Sequence, residues 1–202
     1  GKKGFWKNSF IVTPDVLVPR PETETLVDAI LNENLQGKTL LELGTGSGAI
    51  SISIAQENKD CFIFATDISI KSILVAKQNA AKFCCENIIF LNHDWNNEWL
   101  FPQVDYLISN PPYVDKEATS GKEEGIWHEP EIALFSKDKG LSDLKLILSK
   151  GKNFLNENGK VYLEHAPDQY EELNKFAMEN GYLNFSNLND LNGDKRVSIY
   201  QC

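Results

Sequence analysis

Two short segments carry residue types at spacings that can do chemistry. The first reads Glu42-Leu43-Gly44-Thr45-Gly46-Ser47-Gly48-Ala49. Glycine at such a turn lets the backbone pass close to a ligand where a Cβ would collide. A helix starting there leaves free N–H groups facing the same crevice. Asp67 follows Gly46 by 21 residues and ends the next apolar run. That is the spacing at which a carboxylate accepts hydrogen bonds from a ribose diol. Read as Gly44-x-Gly46-x-x-Ala49, the loop also satisfies the dinucleotide fingerprint, so on these residues alone NAD stays open. The loop asks for a nucleoside-containing cofactor.

The second segment is Asn110-Pro111-Pro112-Tyr113. The two prolines have no N–H, so the turn offers carbonyl acceptors at fixed φ with few competing donors. Asn110 adds a side-chain carbonyl. Two converging acceptors suit an –NH2 group. An amide nitrogen is a weak nucleophile, because its lone pair is conjugated into the carbonyl. Accepting both its hydrogens orients that nitrogen and stabilises the positive charge it gains during attack. Tyr113 supplies an aromatic face on which a flat amide or base can stack. The pair of segments fits methyl transfer from S-adenosylmethionine to a planar –NH2 and gives hydride transfer no role, so NAD is set aside. No strong general base is visible, and none is required if the spare proton leaves after transfer.

These segments need elements to position them. Residues 4–18 alternate in short apolar and polar runs and predict a small hairpin or flap. Pro19-Arg20-Pro21-Glu22-Thr23-Glu24 is a helix start, with Leu26, Val27, Ile30 and Leu31 as the apolar face. Strand-like runs follow at 39–43, 62–66, 88–91, 104–109 and 160–164, with helical stretches at about 48–57, 70–83 and 141–155. Apolar runs separated by helices predict a parallel sheet covered on both faces. A helix near 168–180 precedes a late hairpin, 183–188 and 195–200, turning at Asn192-Gly193. The expected fold is α/β and doubly wound, seven strands in all, mostly parallel, with one late antiparallel strand near the edge. In such a sheet the strand before Asn110 neighbours the strand before Gly44, which puts Asn110 opposite the cofactor loop.

The chain has 202 residues, with 20 Lys+Arg against 29 Asp+Glu and a formal charge of -9. Affinity for phosphate backbones comes from Lys and Arg, so stable nucleic-acid binding is not expected. No apolar run is long enough to cross a membrane and no signal-peptide pattern opens the chain. Cys61, Cys84, Cys85 and Cys202 follow no metal-binding rhythm, and reduced thiols in a cytoplasmic protein are the expectation. The chain opens at Gly1 in mid-pattern, which reads as an excised domain.

Taken together, the sequence resembles the HemK/PrmC family of protein-glutamine N5-methyltransferases, which modify the Gly-Gly-Gln loop of peptide chain release factors. The resemblance runs over nearly the whole chain. It is carried by Leu17-Val18-Pro19-Arg20-Pro21-Glu22-Thr23-Glu24, residues 43–49, Asp94-Trp95, Asn110-Pro111-Pro112-Tyr113, His128-Glu129-Pro130, Leu163-Glu164-His165 and Arg196-Val197. The Asn-Pro-Pro-Tyr motif alone is shared with N6-adenine DNA methyltransferases; with Pro-Arg-Pro-Glu-Thr-Glu upstream it is much more specific. The resemblance implies a Rossmann-like class I S-adenosylmethionine-dependent fold. It implies that Gly44, Thr45, Gly46, Ser47 and Gly48 line the cofactor pocket and that Asp67 holds the ribose hydroxyls. Trp95 would pack by the adenine with Asp94 near its amino group, and Asn110 would meet both cofactor and substrate. Pro111, Pro112 and Tyr113 would hold the substrate glutamine. Residues 1–36 would form the flap and leading helix, and 37–202 the methyltransferase domain. The family's small N-terminal helical substrate domain has no counterpart in the chain. A basic residue the family often carries near Ile126-Trp127 is also missing.

Other residues have plainer readings. Beside its cofactor role Trp95 has the plainer reading of a half-buried core aromatic, and Glu42 either accepts from the cofactor's amino group or only caps its own loop. Arg20 is expected to pair with Glu22 or Glu24. His128-Glu129 lacks the second histidine of a zinc helix, and His93 and His165 read as satisfied structural histidines. Cys84-Cys85 reads as packing at a helix end, and Lys116–Glu124 as a mobile loop beside the site. Two rival functions remain: an adenine N6-methyltransferase and a non-catalytic cofactor-binding module.

Overall fold

The computed structural model describes residues 1–118 and 129–202. Expectations for 119–128, including His128, Ile126-Trp127 and most of the Lys116–Glu124 loop, fall outside the described residues. The chain opens with an antiparallel hairpin, β1 (Lys2–Phe5) and β2 (Asn8–Ile11). A 3-10 turn at Pro21–Thr23 leads into α1 (Glu24–Leu31). Alternation then sets in: β3 (Thr39–Leu43), α2 (Ala49–Glu57), β4 (Phe62–Asp67), α3 (Ile70–Lys82), β5 (Ile88–Asn92) and β6 (Val104–Ser109). After the two-residue strands β7 (Val114–Asp115) and β8 (Phe135–Ser136) come α4 (Ser142–Gly151), β9 (Leu155–Glu164), α5 (Tyr170–Glu179), β10 (Asn184–Asn189) and β11 (Lys195–Gln201).

The main sheet has seven strands in the order β10-β11-β9-β6-β3-β4-β5. Only β11 runs against its neighbours. It lies between β9 and β10, one place in from the edge. Because side chains alternate along a strand, each strand feeds two cores. Leu40, Ile63, Tyr106, Ile108 and Tyr162 face one core with α1, α2 and the hairpin's Phe5 and Phe10. Leu41, Leu43, Leu107, Val161 and Leu163 face the other, under α4 and α5. Residues 49–55 of α2 are all buried, because the hairpin and α1 cover its outer side as well. Asn79 of α3 ties these layers together: its side chain accepts from the Ile11 amide at 2.8 Å and donates to the Ile11 and Ser47 carbonyls.

Two differences from the sequence reading have local causes. β9 starts at Leu155 rather than at residue 160, extending back to pair with Val104 through a register shift. Its start is polar (Asn156, Glu157, Asn158), so it carries no apolar signal. α4 stops at Gly151 and tightens into a 3-10 turn at Lys152–Phe154. The packing at Gly151 is close, since an added Cβ would meet Leu107 Cδ1 at 3.0 Å. No helix among the described residues is long and apolar enough to cross a membrane.

Candidate active site

A cavity of about 330 Å³ opens at the carboxyl ends of β3, β4 and β6, the crevice where open α/β sheets bind ligands. Gly44, Gly46, Asp67, Asp94, Trp95, Asn110 and Pro112 all reach its wall. Thr45, Ser47 and Gly48 lie behind that wall and build it. The Thr45 amide donates to the Thr66 carbonyl at 2.8 Å, and its hydroxyl donates to Glu42 Oε2 at 2.7 Å. Glu42 therefore caps the loop and does not line the cavity. Burial pushes its carboxyl up to about 7, against the lowering effect of bonds from Thr45 and Ser51. At Gly48 a Cβ would come within 2.8 Å of Ile52 Cδ1, so this glycine sets the packing of α2 against α3.

Gly46 is the residue that meets open space. Its φ is +55° and an added Cβ would touch nothing within 4 Å among the described residues, so they leave its backbone bare toward the cavity. Its amide donates to Asp67 Oδ2 at 2.9 Å, and Ser69 donates to Oδ1 at 2.9 Å. Burial raises the Asp67 carboxyl in spite of these donors. The Trp95 ring stands 3.2 Å from where a Cβ on Gly44 would be, and its indole N–H donates to Asp143 Oδ1 at 3.0 Å. Asp94 accepts from Asn96 through both backbone and side chain.

On the other side, the Ser109 hydroxyl donates to the Leu43 carbonyl at 2.8 Å, locking β6 to β3 just before the Asn-Pro-Pro-Tyr turn. Asn110 Nδ2 donates to Thr23 Oγ1 at 3.1 Å, while its Oδ1 has no partner among the described residues. Pro111 is buried beneath the wall. Tyr113 turns its hydroxyl away from the cavity to donate to Glu164 Oε1 at 2.9 Å, and its phenol pKa is pushed up by burial and by that carboxylate. Its carbonyl accepts from Gln169 Nε2 at 3.0 Å.

Several participants had no role assigned from the sequence, although Leu17, Thr23, Pro130 and Glu164 stand in the motifs that carry the resemblance. Pro14–Leu17 and Pro130, Ile132 and Ala133 wall the cavity; they are remote in sequence, and only their flanking motifs signalled them. Thr23, Glu164 and Gln169 hold the turn from behind. Arg20 does not pair with Glu22 or Glu24. Its guanidinium meets Glu129 at 2.7 Å, while Glu24 accepts from the Trp6 amide. His165 is satisfied, by Ser198 Oγ at 2.7 Å and the Ala166 carbonyl at 2.8 Å. His93 is not: its buried Nε2 has no partner among the described residues, and the ring packs edge-on against Phe101. Cys85 packs against the core, but Cys84 is exposed at a left-handed helix end with φ +54°. All four cysteines are free thiols.

The cavity's charges select among cofactors. Asp15, Asp67, Asp94 and Asp143 line it, and no lysine or arginine does so among the described residues. A pyrophosphate finds no cation there, whereas a sulfonium with an ammonium group enters a field of its own preference. Carboxylates also accept from ribose hydroxyls, and Trp95 and Ile68 offer apolar wall to a base. The residues present thus fit S-adenosylmethionine.

Comparison with known proteins agrees. The family model described as Methyltransferase small domain matches residues 21–129. A release factor glutamine methyltransferase of Shewanella oneidensis is 34% identical over 200 residues, covering 98% of this chain and 70% of that protein. One from Coxiella burnetii is 37% identical over 98% of this chain and 72% of its own length. Among solved structures, a methyltransferase from Pyrococcus furiosus superposes with a TM-score of 0.70 at 19% identity, over 95% of this chain and 87% of that one. The last comparison bears on fold alone, and the fold is the class I methyltransferase fold. The identities, sustained from one end of the chain to the other, decide the rest: it belongs to the release factor glutamine methyltransferase family of S-adenosylmethionine-dependent enzymes.

Proposed function

We infer that this chain methylates the side-chain nitrogen of the glutamine in the Gly-Gly-Gln motif of a peptide chain release factor. The observation that carries this is the state of Asn110. Its nitrogen is spent on Thr23, so the atom left accessible at the cavity wall is the acceptor Oδ1. An acceptor at that place suits a substrate that arrives with N–H bonds to donate.

When bound, S-adenosylmethionine supplies a methyl group made electrophilic by its sulfonium. The chain's own residues do the rest. The backbone at Gly44 and Gly46 would lie along the cofactor, Asp67 would take its ribose hydroxyls, and Trp95 and Asp94 would take the adenine. Asn110 Oδ1 and the Pro111 carbonyl accept the two hydrogens of the glutamine –NH2, which fixes its orientation and stabilises the charge it develops. Pro112 and Tyr113 hold the flat amide. No group is needed as a strong base, because a methylated amide nitrogen sheds its extra proton readily once transfer is complete. Residues 1–36 act as flap and leading helix to the methyltransferase body formed by 37–202, in the cytoplasm with the translation machinery.

The adenine N6 reading shares the tetrapeptide, but the net charge of -9 and the aspartates round the cavity repel a phosphate backbone. The test is methyl transfer from labelled S-adenosylmethionine with a release factor and duplex DNA offered in parallel, followed by peptide mapping. Label on the Gly-Gly-Gln peptide, absent when that glutamine is replaced, is the expected result. Label on DNA adenine would move the assignment to the rival.

A further inference from the structure

Glu164 is not accounted for by the reaction as described. It ends β9, the parallel neighbour of β6, where the register pairs Ser109 with Leu163. It is completely buried, and one of its oxygens, Oε2, has no hydrogen-bond partner among the described residues. Its other oxygen accepts from Tyr113 Oη at 2.9 Å. The Thr23 hydroxyl and the Arg196 guanidinium lie beside the carboxylate, and Arg196 is itself held by Asp190 at 3.0 Å. A buried carboxylate is costly to keep, and a fold that needed only packing there would do better with an apolar side chain.

The cost has a purpose in the neighbouring turn. Pro111 and Pro112 have no amide hydrogens, so the turn cannot be pinned by its own backbone donors. Its fixings come from outside: Gln169 on the Tyr113 carbonyl, Thr23 on the Asn110 amide and Glu164 on the Tyr113 hydroxyl. Thr23 and Tyr113 both border Glu164. We propose that Glu164 is a positioning residue, a buried acceptor that sets Tyr113 directly, and with it the short turn that carries Asn110, so that the amide-binding acceptors stand ready before substrate arrives. This rests on the reading of Asn110–Tyr113 as the substrate-amide site.

Glu164→Gln, Tyr113→Phe and Thr23→Val test it, with two readouts. The first is NMR of the Asn110 side-chain amide, identified by its absence in Asn110→Ala. It is expected to shift in both Glu164→Gln and Thr23→Val while the cofactor's Kd stays within about twofold. An unmoved resonance in Glu164→Gln overturns the proposal, whether or not the release factor is the substrate. The second is steady-state methylation of a release factor. Glu164→Gln is expected to lower kcat about 10- to 100-fold with little change in the cofactor's KM. The double variant Glu164→Gln/Tyr113→Phe should be no worse than the poorer single one, since both changes act through the same Tyr113–Glu164 contact. Fully additive losses overturn the proposal. If Glu164→Gln does not fold, Tyr113→Phe and Thr23→Val carry both readouts, and wild-type behaviour of that pair is the overturning result. A wild-type enzyme that labels no release factor counts against the proposed function instead, and leaves the NMR result to judge Glu164.

Discussion

The Gly46 amide donates to the Asp67 carboxylate across 2.9 Å, so the loop after β3 and the end of β4 are joined before any ligand is bound. A second backbone donor, Ser69, holds the other oxygen at 2.9 Å. Each carboxylate oxygen can accept twice, which leaves capacity for ribose hydroxyls on a group whose orientation is already set.

Asp67→Asn tests this double duty. The amide keeps one acceptor oxygen and turns two donors toward Gly46 or Ser69, so one of the existing bonds is lost along with the charge. Bonds to charged groups are worth about 1.5–3 kcal/mol. The cofactor's Kd should therefore rise about 10- to 100-fold by calorimetry, with a smaller fall in stability. An unchanged Kd would remove Asp67 from the cofactor site.

Asn110→Ala separates substrate orientation from cofactor binding. Asn110 reaches the cavity with an acceptor and is anchored on Thr23, not on the glycine loop. Loss of one preorganised polar group in a transition state costs about 100- to 1,000-fold in kcat. That loss is expected on release-factor methylation while cofactor affinity changes only a few-fold. Equal loss of both would sink the assignment.

Much of this arrangement was legible in the residues, and the illegible part has a pattern. Strands such as Thr39–Leu43 and Val104–Ser109 announced themselves because they are apolar on both faces, as buried parallel strands must be. The glycine loop and the proline turn were visible because each needs residue types that little else explains. What escaped was contact between distant positions. Arg20 had acidic neighbours two and four residues on, and local spacing favoured them, yet the fold delivers Glu129 from 109 residues away. Glu164 stood in the Leu163-Glu164-His165 motif at a strand end with no role assigned to it, and the strand order is what places it against Tyr113. Cys84 sits beside buried helix residues, but the left-handed turn that ends α3 swings it into solvent.

The buried Glu42 makes stability depend on pH in a definite direction. Desolvation is the largest cause of its rise from 4.5 to about 7, with the charge of Asp67 acting the same way. A carboxyl raised in the folded state stays protonated while the unfolded chain ionises. Stability is therefore full below about pH 4.5 and falls as pH rises toward about 7, where the folded form ionises too. At 1.36 kcal/mol per unit the swing is roughly 3 kcal/mol. Glu42→Gln abolishes that contribution. Urea denaturation of the cofactor-free protein at pH 5 and at pH 7.5 should show the variant gaining on wild type by an amount of this order between about those two values. A constant difference between the two proteins would show that Glu42 ionises normally.

Gly140 offers a way to disturb the Asn110–Tyr113 turn without changing any of its own side chains. Its φ is +85°, a conformation that side chains resist, and a Cβ there would lie 2.0 Å from the Tyr113 carbonyl oxygen and 2.6 Å from Gln169 Nε2. The first obstacle is backbone, so no rotamer change relieves it. Gly140→Ala must move the Tyr113 peptide or break its bond from Gln169. Left-handed strain and overpacking each cost about 1–3 kcal/mol. A stability loss of more than about 2 kcal/mol is expected from the urea midpoint. Where the variant remains folded, kcat should fall together with it, although Asn110, Pro111 and Tyr113 are all still present. A wild-type midpoint with wild-type turnover would show that the Tyr113 carbonyl is free to shift, and that the turn need not be held as tightly as its packing implies.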